Sequence, residues 1–290
     1  MIVSGLVQQV FAILCAFCTV LNAYNLNTQR LESELSPLGV TLDFGFARNW
    51  PKAEDFDANP QPPRSWVWSS HLKFEKEVSE ITDGQLWQIA LDAYNEIPKD
   101  MTYYGIRKGA MPNAMAALAW GNEIILASSH KGEHFLYSLS DTPVSKALEL
   151  CQIIWRDSSA STEENQDARH KNQGHCGELM AAHLYSLQND DALSTKNARI
   201  ATIVFKKPTP PCGNRKGVSG TDCPFVQKIT SLELTYLQKD TWGCNLAVRA
   251  MGLTEVSIDV ALEAYDLKTL AGGNVRNQIH LCSASGSLNR

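Results

Sequence analysis

An α/β fold class is what this 290-residue sequence predicts, and three observations carry the expectation. Apolar residues recur at helical spacing at Leu86, Ile89, Ala90, Ala93 and Tyr94, and again at Ala147, Leu148, Cys151 and Ile154. Residues 200–205 form a compact β-branched run of the kind found in buried strands. Between these lies Cys176-Gly177-Glu178, opening the apolar run Leu179-Met180-Ala181-Ala182, which reads as another helix.

The chain begins with residues 1–23, which carry no charged side chain and include an apolar run over 10–21. A run of that length reads as a secretory signal peptide rather than a membrane anchor, which needs about 20 apolar residues. Cleavage near Ala23 then gives a secreted protein without stable membrane association. A helical accessory region over 24–100 and a main domain over 101–290 are expected. The formal net charge of −5 argues against indiscriminate binding to nucleic acid or anionic membrane. Removal of Cys15 and Cys18 with the signal leaves Cys151, Cys176, Cys212, Cys223, Cys244 and Cys282. In an oxidising compartment these cysteines can make three disulfides, or some can bind metal.

In order along the chain, residues 55–64 are rich in Pro, Asp and Asn and read as a loop. Trp66 and Trp68 begin a short strand, and Asp83 caps a helix that Pro98 stops. Residues 113–120 read as a short apolar helix closed by Gly121. Residues 123–128 and 133–139 read as a hairpin turning through Ser129-His130-Lys131-Gly132. A helix follows over 144–155, with Cys151 in its apolar stripe, and then a polar loop over 158–173. The Cys176 helix runs to about residue 187 and leads to the strand over 200–205, expected to be central and parallel. Pro208, Pro210 and Pro211 deliver the chain to Cys212, and further helices are expected over 225–237 and 256–270.

The chemistry concentrates at the helix mouths. A helix N-terminus favours a thiolate over a thiol, so Cys176 is a candidate metal ligand two residues before Glu178. Pro211-Cys212 and Cys223-Pro224 supply two more thiols, with Pro224 suited to the first turn of a helix. Three ligands and one open position describe a catalytic zinc site, where the metal activates water near neutral pH. Glu178 could then carry protons, although an acid in a first helical turn also has a purely electrostatic reason to be there. His175 reads as a surface or supporting histidine. The remaining histidines lack zincin spacing, and Thr221 breaks a nucleophile-elbow pattern after Gly217-Val218-Ser219-Gly220. Arg199, Lys206, Lys207, Arg215 and Lys216 fall in a stretch without acidic residues around Cys212. Together with Arg169, His170 and Lys171, they form either a solvated loop face or a rim for substrate phosphates.

The Cys-x-Glu and later Pro-Cys elements resemble the zinc-dependent cytidine deaminase-like superfamily, whose hallmark is His or Cys, any residue, Glu, and then Pro-Cys-x-x-Cys. One departure is that ten residues, Gly213 to Asp222, separate Cys212 from Cys223. The resemblance implies a three-layer α/β/α domain in which Zn²⁺ is held by Cys176, Cys212 and Cys223 while Glu178 shuttles protons. The implied reaction is hydrolytic deamination of cytosine, or of adenine, in a nucleoside, a nucleotide or single-stranded nucleic acid. A secreted toxin-like or effector role goes with it. The alternative is a secreted, disulfide-framed interaction protein without catalysis.

Overall fold

A computed structural model describes residues 36–50, 64–157, 163, 166–212 and 242–281. Their frame is a mixed sheet packed between helices. Its strands are β1 (Thr41–Leu42), β2 (Trp68–Phe74), β3 (Ala114–Trp120), β4 (Glu123–Ser128), β5 (Arg199–Val204), β6 (Lys207–Pro208), β7 (Thr254–Glu255) and β8 (Asn274–Asn277). The main order is β1-β2-β4-β3-β5-β6, with β8 beside β2 and β7 beside β5. All pairings are antiparallel except β5 with β7, which is parallel. The strand expected to be parallel, β5, is antiparallel to β3 and β6 and parallel only to the short β7.

The helices are α1 (Phe44–Asn49), α2 (Asp83–Tyr103), α3 (Pro143–Arg156), α4 (Gly177–Ser186) and α5 (Cys244–Ala250). Alternate residues of the central strands face two separate cores. Ala116, Leu118 and Trp120 with Ile125 and Ala127 pack against α3, α4 and α5. Met115, Ala117, Ala119, Ile124, Leu126, Ala201 and Ile203 pack against α2.

That double burial corrects the expectation of a helix over 113–120. Every residue of β3 is buried, so both faces are apolar and the period-two signal vanishes. The hairpin is β3 with β4, turning at Gly121 and Asn122, whose side-chain amide donates to the Phe74 carbonyl at 2.8 Å. Residues 133–139 do not pair with β4; they hold a single 3₁₀ turn, Leu136–Ser138.

Helix α2 also differs from expectation at both ends. Thr82, not Asp83, is its N-cap, and a reciprocal box with Gln85 satisfies two backbone N–H groups. Pro98 sits inside the helix rather than ending it. A helix-interior proline costs about 3 kcal/mol. Burial of Ile97 just before it and Met101 beyond it returns about 1.5–3 kcal/mol each, so packing wins. The expected domain boundary between residues 100 and 101 therefore cuts through α2, and β2, on its N-terminal side, shares the sheet.

Residues 256–270 are not helical until a short turn at Leu270–Gly272. They cross α2 as an extended strap: the Glu263 N–H donates to the Gly84 carbonyl at 3.1 Å, and the Trp87 indole donates to the Ser257 carbonyl at 3.0 Å. A helix there would withdraw those backbone groups from α2. The expected helix over 225–237 and the expected loop over 55–64 fall wholly or mostly outside the described residues. Among the described residues, no helix is long and apolar enough to cross a membrane.

Candidate metal centre

Three segments of the chain converge on one buried point. The first is the mouth of α4. Cys176 is its N-cap residue, in extended backbone and without a side-chain capping bond, and Glu178 lies in the first turn. Gly177 lets this mouth press onto the sheet. A Cβ there would stand 3.0 Å from the Ala127 carbonyl oxygen and 3.2 Å from the Ala116 nitrogen, tighter than a side chain tolerates without movement. The second segment is the chain leaving β5 through the tight β6 hairpin to Cys212.

The third segment is the start of α5, where Cys244 is the first helical residue. The residue before it has to be small. A Cβ on Gly243 would lie 2.5 Å from the Cys212 carbonyl oxygen and 2.8 Å from its sulfur. The close approach allows the Cys244 N–H to donate to Cys212 Sγ at 3.2 Å and the Asn245 N–H to donate to the Cys212 carbonyl at 2.9 Å.

Four ligand atoms, from His170, Cys176, Cys212 and Cys244, lie within 4.8 Å of one another and form a group able to hold a metal ion. Cys176 Sγ and Cys212 Sγ are 3.6 Å apart, and His170 Nε2 is 3.3 Å from Cys244 Sγ and 3.7 Å from Cys212 Sγ. Tetrahedral zinc with its usual bond lengths would set sulfur–sulfur edges of about 3.8 Å and nitrogen–sulfur edges of about 3.6 Å. The donor set and its spacing thus fit zinc. None of the four described cysteines, these three and Cys151, is in a disulfide.

His170 arrives on a coiled loop. Its N–H donates to the Tyr137 hydroxyl at 2.9 Å, and its ring packs edge-on against Trp242. Trp242 is itself fixed by donation from its indole to the Ala168 carbonyl at 2.7 Å. The side-chain amide of Asn172 donates to Cys176 Sγ at 3.2 Å.

Burial and mutual hydrogen bonding set the protonation of the cluster. Hydrogen bonds from Cys176 and Cys244 hold Cys212 far below the usual thiol range. Its hydrogen bond to Cys212 pushes Cys176 up, and burial pushes Cys244 up. The shared hydrogen bonds thus favour the charged form at Cys212 over its two sulfur neighbours. Burial, and then the charge on Cys212, push Glu178 up to about 7. The Thr202 hydroxyl opposes that rise only weakly, and it makes no well-formed hydrogen bond.

The structure brings together Cys176, Glu178 and Cys212 of the expected site. Cys223, Arg215 and Lys216 lie outside the described residues. The third sulfur at this centre belongs to Cys244, where Cys223 was expected. A usable signal existed: Gly243-Cys244 stands before the apolar turn Leu246-Ala247-Val248, as Cys176-Gly177 stands before its own. His170, expected on a phosphate rim, is wholly buried in the cluster instead. Arg199 is also taken out of that rim. Its guanidinium pairs with Asp83 and donates to the carbonyls of Val78 and Ile81. Lys206 and Lys207 remain exposed beside Phe205 at the β5–β6 turn, where Phe205 and Lys206 both have positive φ. His175 is no ligand; it stacks edge-on against His130 and lies 3.4 Å from His134. No protein-family model, curated protein or solved structure matches the chain.

Proposed function

We propose that this chain is an exported, zinc-dependent nucleobase deaminase of the cytidine deaminase-like type, with cytosine as first choice of base and adenine as second. The observation that carries the reading is a buried Glu178 in the first turn of the helix whose N-cap, Cys176, is one of three converging cysteine sulfurs. The element order supports it. A helix (α2), a hairpin (β3–β4), a helix bearing Cys and Glu (α4), a strand (β5) and a helix opening at Cys244 (α5) come in that order among the described residues. The resemblance implies the same order, with α3 as an addition.

Cys176, Cys212 and Cys244 would hold zinc, with Cys244 taking the place expected of Cys223. Zinc so held supplies a Lewis acid that activates water near neutral pH. Glu178 does the proton work. Its carboxylate takes a proton from the attacking water and passes it to the ring nitrogen, then takes the remaining proton from the new hydroxyl and passes it to the departing amine. The amino carbon becomes a carbonyl and ammonia leaves. Burial beside the cluster disfavours the charged carboxylate of Glu178, which makes it ready to accept a proton and return it. Lys206 and Lys207, with Arg215 and Lys216, would contact the phosphates of a nucleotide or single strand.

The rival reading is a structural zinc closed by four ligands, favoured by the nearness of His170 to the sulfurs. Metal content and ammonia release decide between them. The full chain should carry about one zinc and release ammonia from cytidine, its nucleotides or single-stranded oligonucleotides. Zinc without ammonia release from any cytosine or adenine substrate would favour the structural site, and absence of metal would overturn both.

A further inference from the structure

Distance alone makes His170 a fourth ligand, but its hydrogen bonds assign the ring proton to the wrong nitrogen for that role. Nδ1 faces two backbone N–H groups, from Asn172 at 3.1 Å and Gly174 at 3.4 Å. A nitrogen that receives N–H donors must present a lone pair, so in the neutral ring the proton sits on Nε2. Nε2 is the atom turned toward Cys244 and Cys212. A metal-ligating histidine needs the reverse: a bare Nε2 on the metal and an N–H at Nδ1 pointing to an acceptor. The turn over 170–175 is built to prevent this. Gln173 and Gly174 adopt positive φ, and the Gln173 N–H closes onto the His170 carbonyl at 2.7 Å. That coil aims the two amides inward at the imidazole.

We infer that His170 is an N–H donor to the Cys244 thiolate and not a metal ligand, so that it positions the sulfur cluster. The inference rests on the zinc reading above and deepens it. Each sulfur then has one N–H donor of its own. Asn172 Nδ2 serves Cys176, the Cys244 backbone N–H serves Cys212, and His170 Nε2 serves Cys244. Hydrogen bonds to thiolate withdraw charge from sulfur. Three thiolates so relieved leave the cation more electron-poor than bare thiolates would. The arrangement thereby supports a catalytic site that three cysteines would otherwise make over-rich in negative charge.

The test uses the full chain loaded with zinc and leaves activity aside. X-ray absorption at the zinc edge should show three sulfur neighbours and no imidazole scattering. Long-range proton–nitrogen correlation should find His170 protonated at Nε2 and bare at Nδ1. His170→Ala should keep one zinc per chain and lose about 10- to 100-fold in affinity, the range for supporting partners of ligands. It should leave the absorption spectrum at three sulfurs plus light atoms. Imidazole scattering in the wild type that vanishes in His170→Ala, or a proton at Nδ1, would overturn the inference while leaving the zinc reading intact. A chain that binds no zinc overturns both. Should His170→Ala fail to fold, the tautomer and scattering of the wild type still decide.

Discussion

Helices α2 and α3 begin by satisfying themselves, and α4 does not. Thr82 and Gln85 close a capping box on α2, and Thr142 and Ser145 close one on α3. The mouth of α4 has no side-chain cap. Its N-cap residue is Cys176, whose sulfur turns toward Cys212 and receives Asn172. A capped start is worth about 1 kcal/mol, and α4 forgoes it. The difference teaches that the first turn of α4 is held by its surroundings. Nine of its ten residues are buried, Glu178 among them. Stability supplied by packing leaves the helix end available for chemistry.

The sharpest way to break the comparison is at Glu178. Glu178→Gln keeps shape and hydrogen-bonding atoms but cannot relay a proton. It should fold, retain zinc and lose deamination by at least about 10²-fold, as measured by ammonia release. Activity equal to wild type would remove Glu178 from the mechanism. No such loss should follow Thr82→Ala, because α2 touches the opposite face of the sheet.

Acid gives the next largest effect. Burial holds His183 down to about 4, and burial followed by the charges of His175 and His134 holds His130 down to about 3. Both lie below 6.5, so the unfolded chain takes up protons that the fold refuses. Their contribution is complete above about pH 6.5 and lost as pH falls toward 4. For His183 alone this is on the order of 3 kcal/mol. Denaturant midpoints at pH 7 and pH 5 should therefore differ. The difference should shrink in His183→Leu, and an unchanged slope would show that His183 is protonated when folded.

How much of this could be read from residues alone depends on how many faces of an element are buried. Helix α3 and strand β5 lie within a residue or two of their expected positions, and α4 was legible from its Cys-Gly-Glu opening. β3 was not, because a run as uniform as Ala114–Trp120 has no period when both sides are covered. The strap over 256–270 was misread for another reason. Its apolar residues imitate a stripe, but its backbone is committed to Gly84 and Trp87. At the metal centre, Cys176, Glu178 and Cys212 announced themselves through local spacing. His170 and Cys244 are 74 positions apart, and only the folded crossovers bring them within reach.

Smaller effects sharpen the comparison. Thr82→Ala and Thr142→Ala should each cost about 1 kcal/mol in denaturant unfolding without changing metal content. Cys176→Ser supplies α4 with the cap it lacks. It should raise the stability of the metal-free protein by about 0.5–1 kcal/mol while sharply reducing zinc affinity. A loss of metal-free stability would mean that the sulfur is needed for packing. At the β5–β6 turn, Phe205→Gly should relieve a positive φ and stabilise by about 1 kcal/mol. It should also remove an exposed ring and so weaken binding to a fluorescent single-stranded oligonucleotide. Unchanged affinity would separate that turn from the substrate path.

The sulfurs at the centre are also far apart in sequence: 36 positions separate Cys176 from Cys212, and 32 separate Cys212 from Cys244. A cation gripping all three would be a topological clasp that pins two long loops at one knot. By the measure used for covalent cross-links, closing one loop of that size removes about 4 kcal/mol of chain freedom from the unfolded state. The fold would then mature twice, once when its sheet collapses around β3 and again when the ion arrives. Between those moments the chain would be shaped but unfastened, its three thiols within reach of one another and as ready for an oxidant as for a metal.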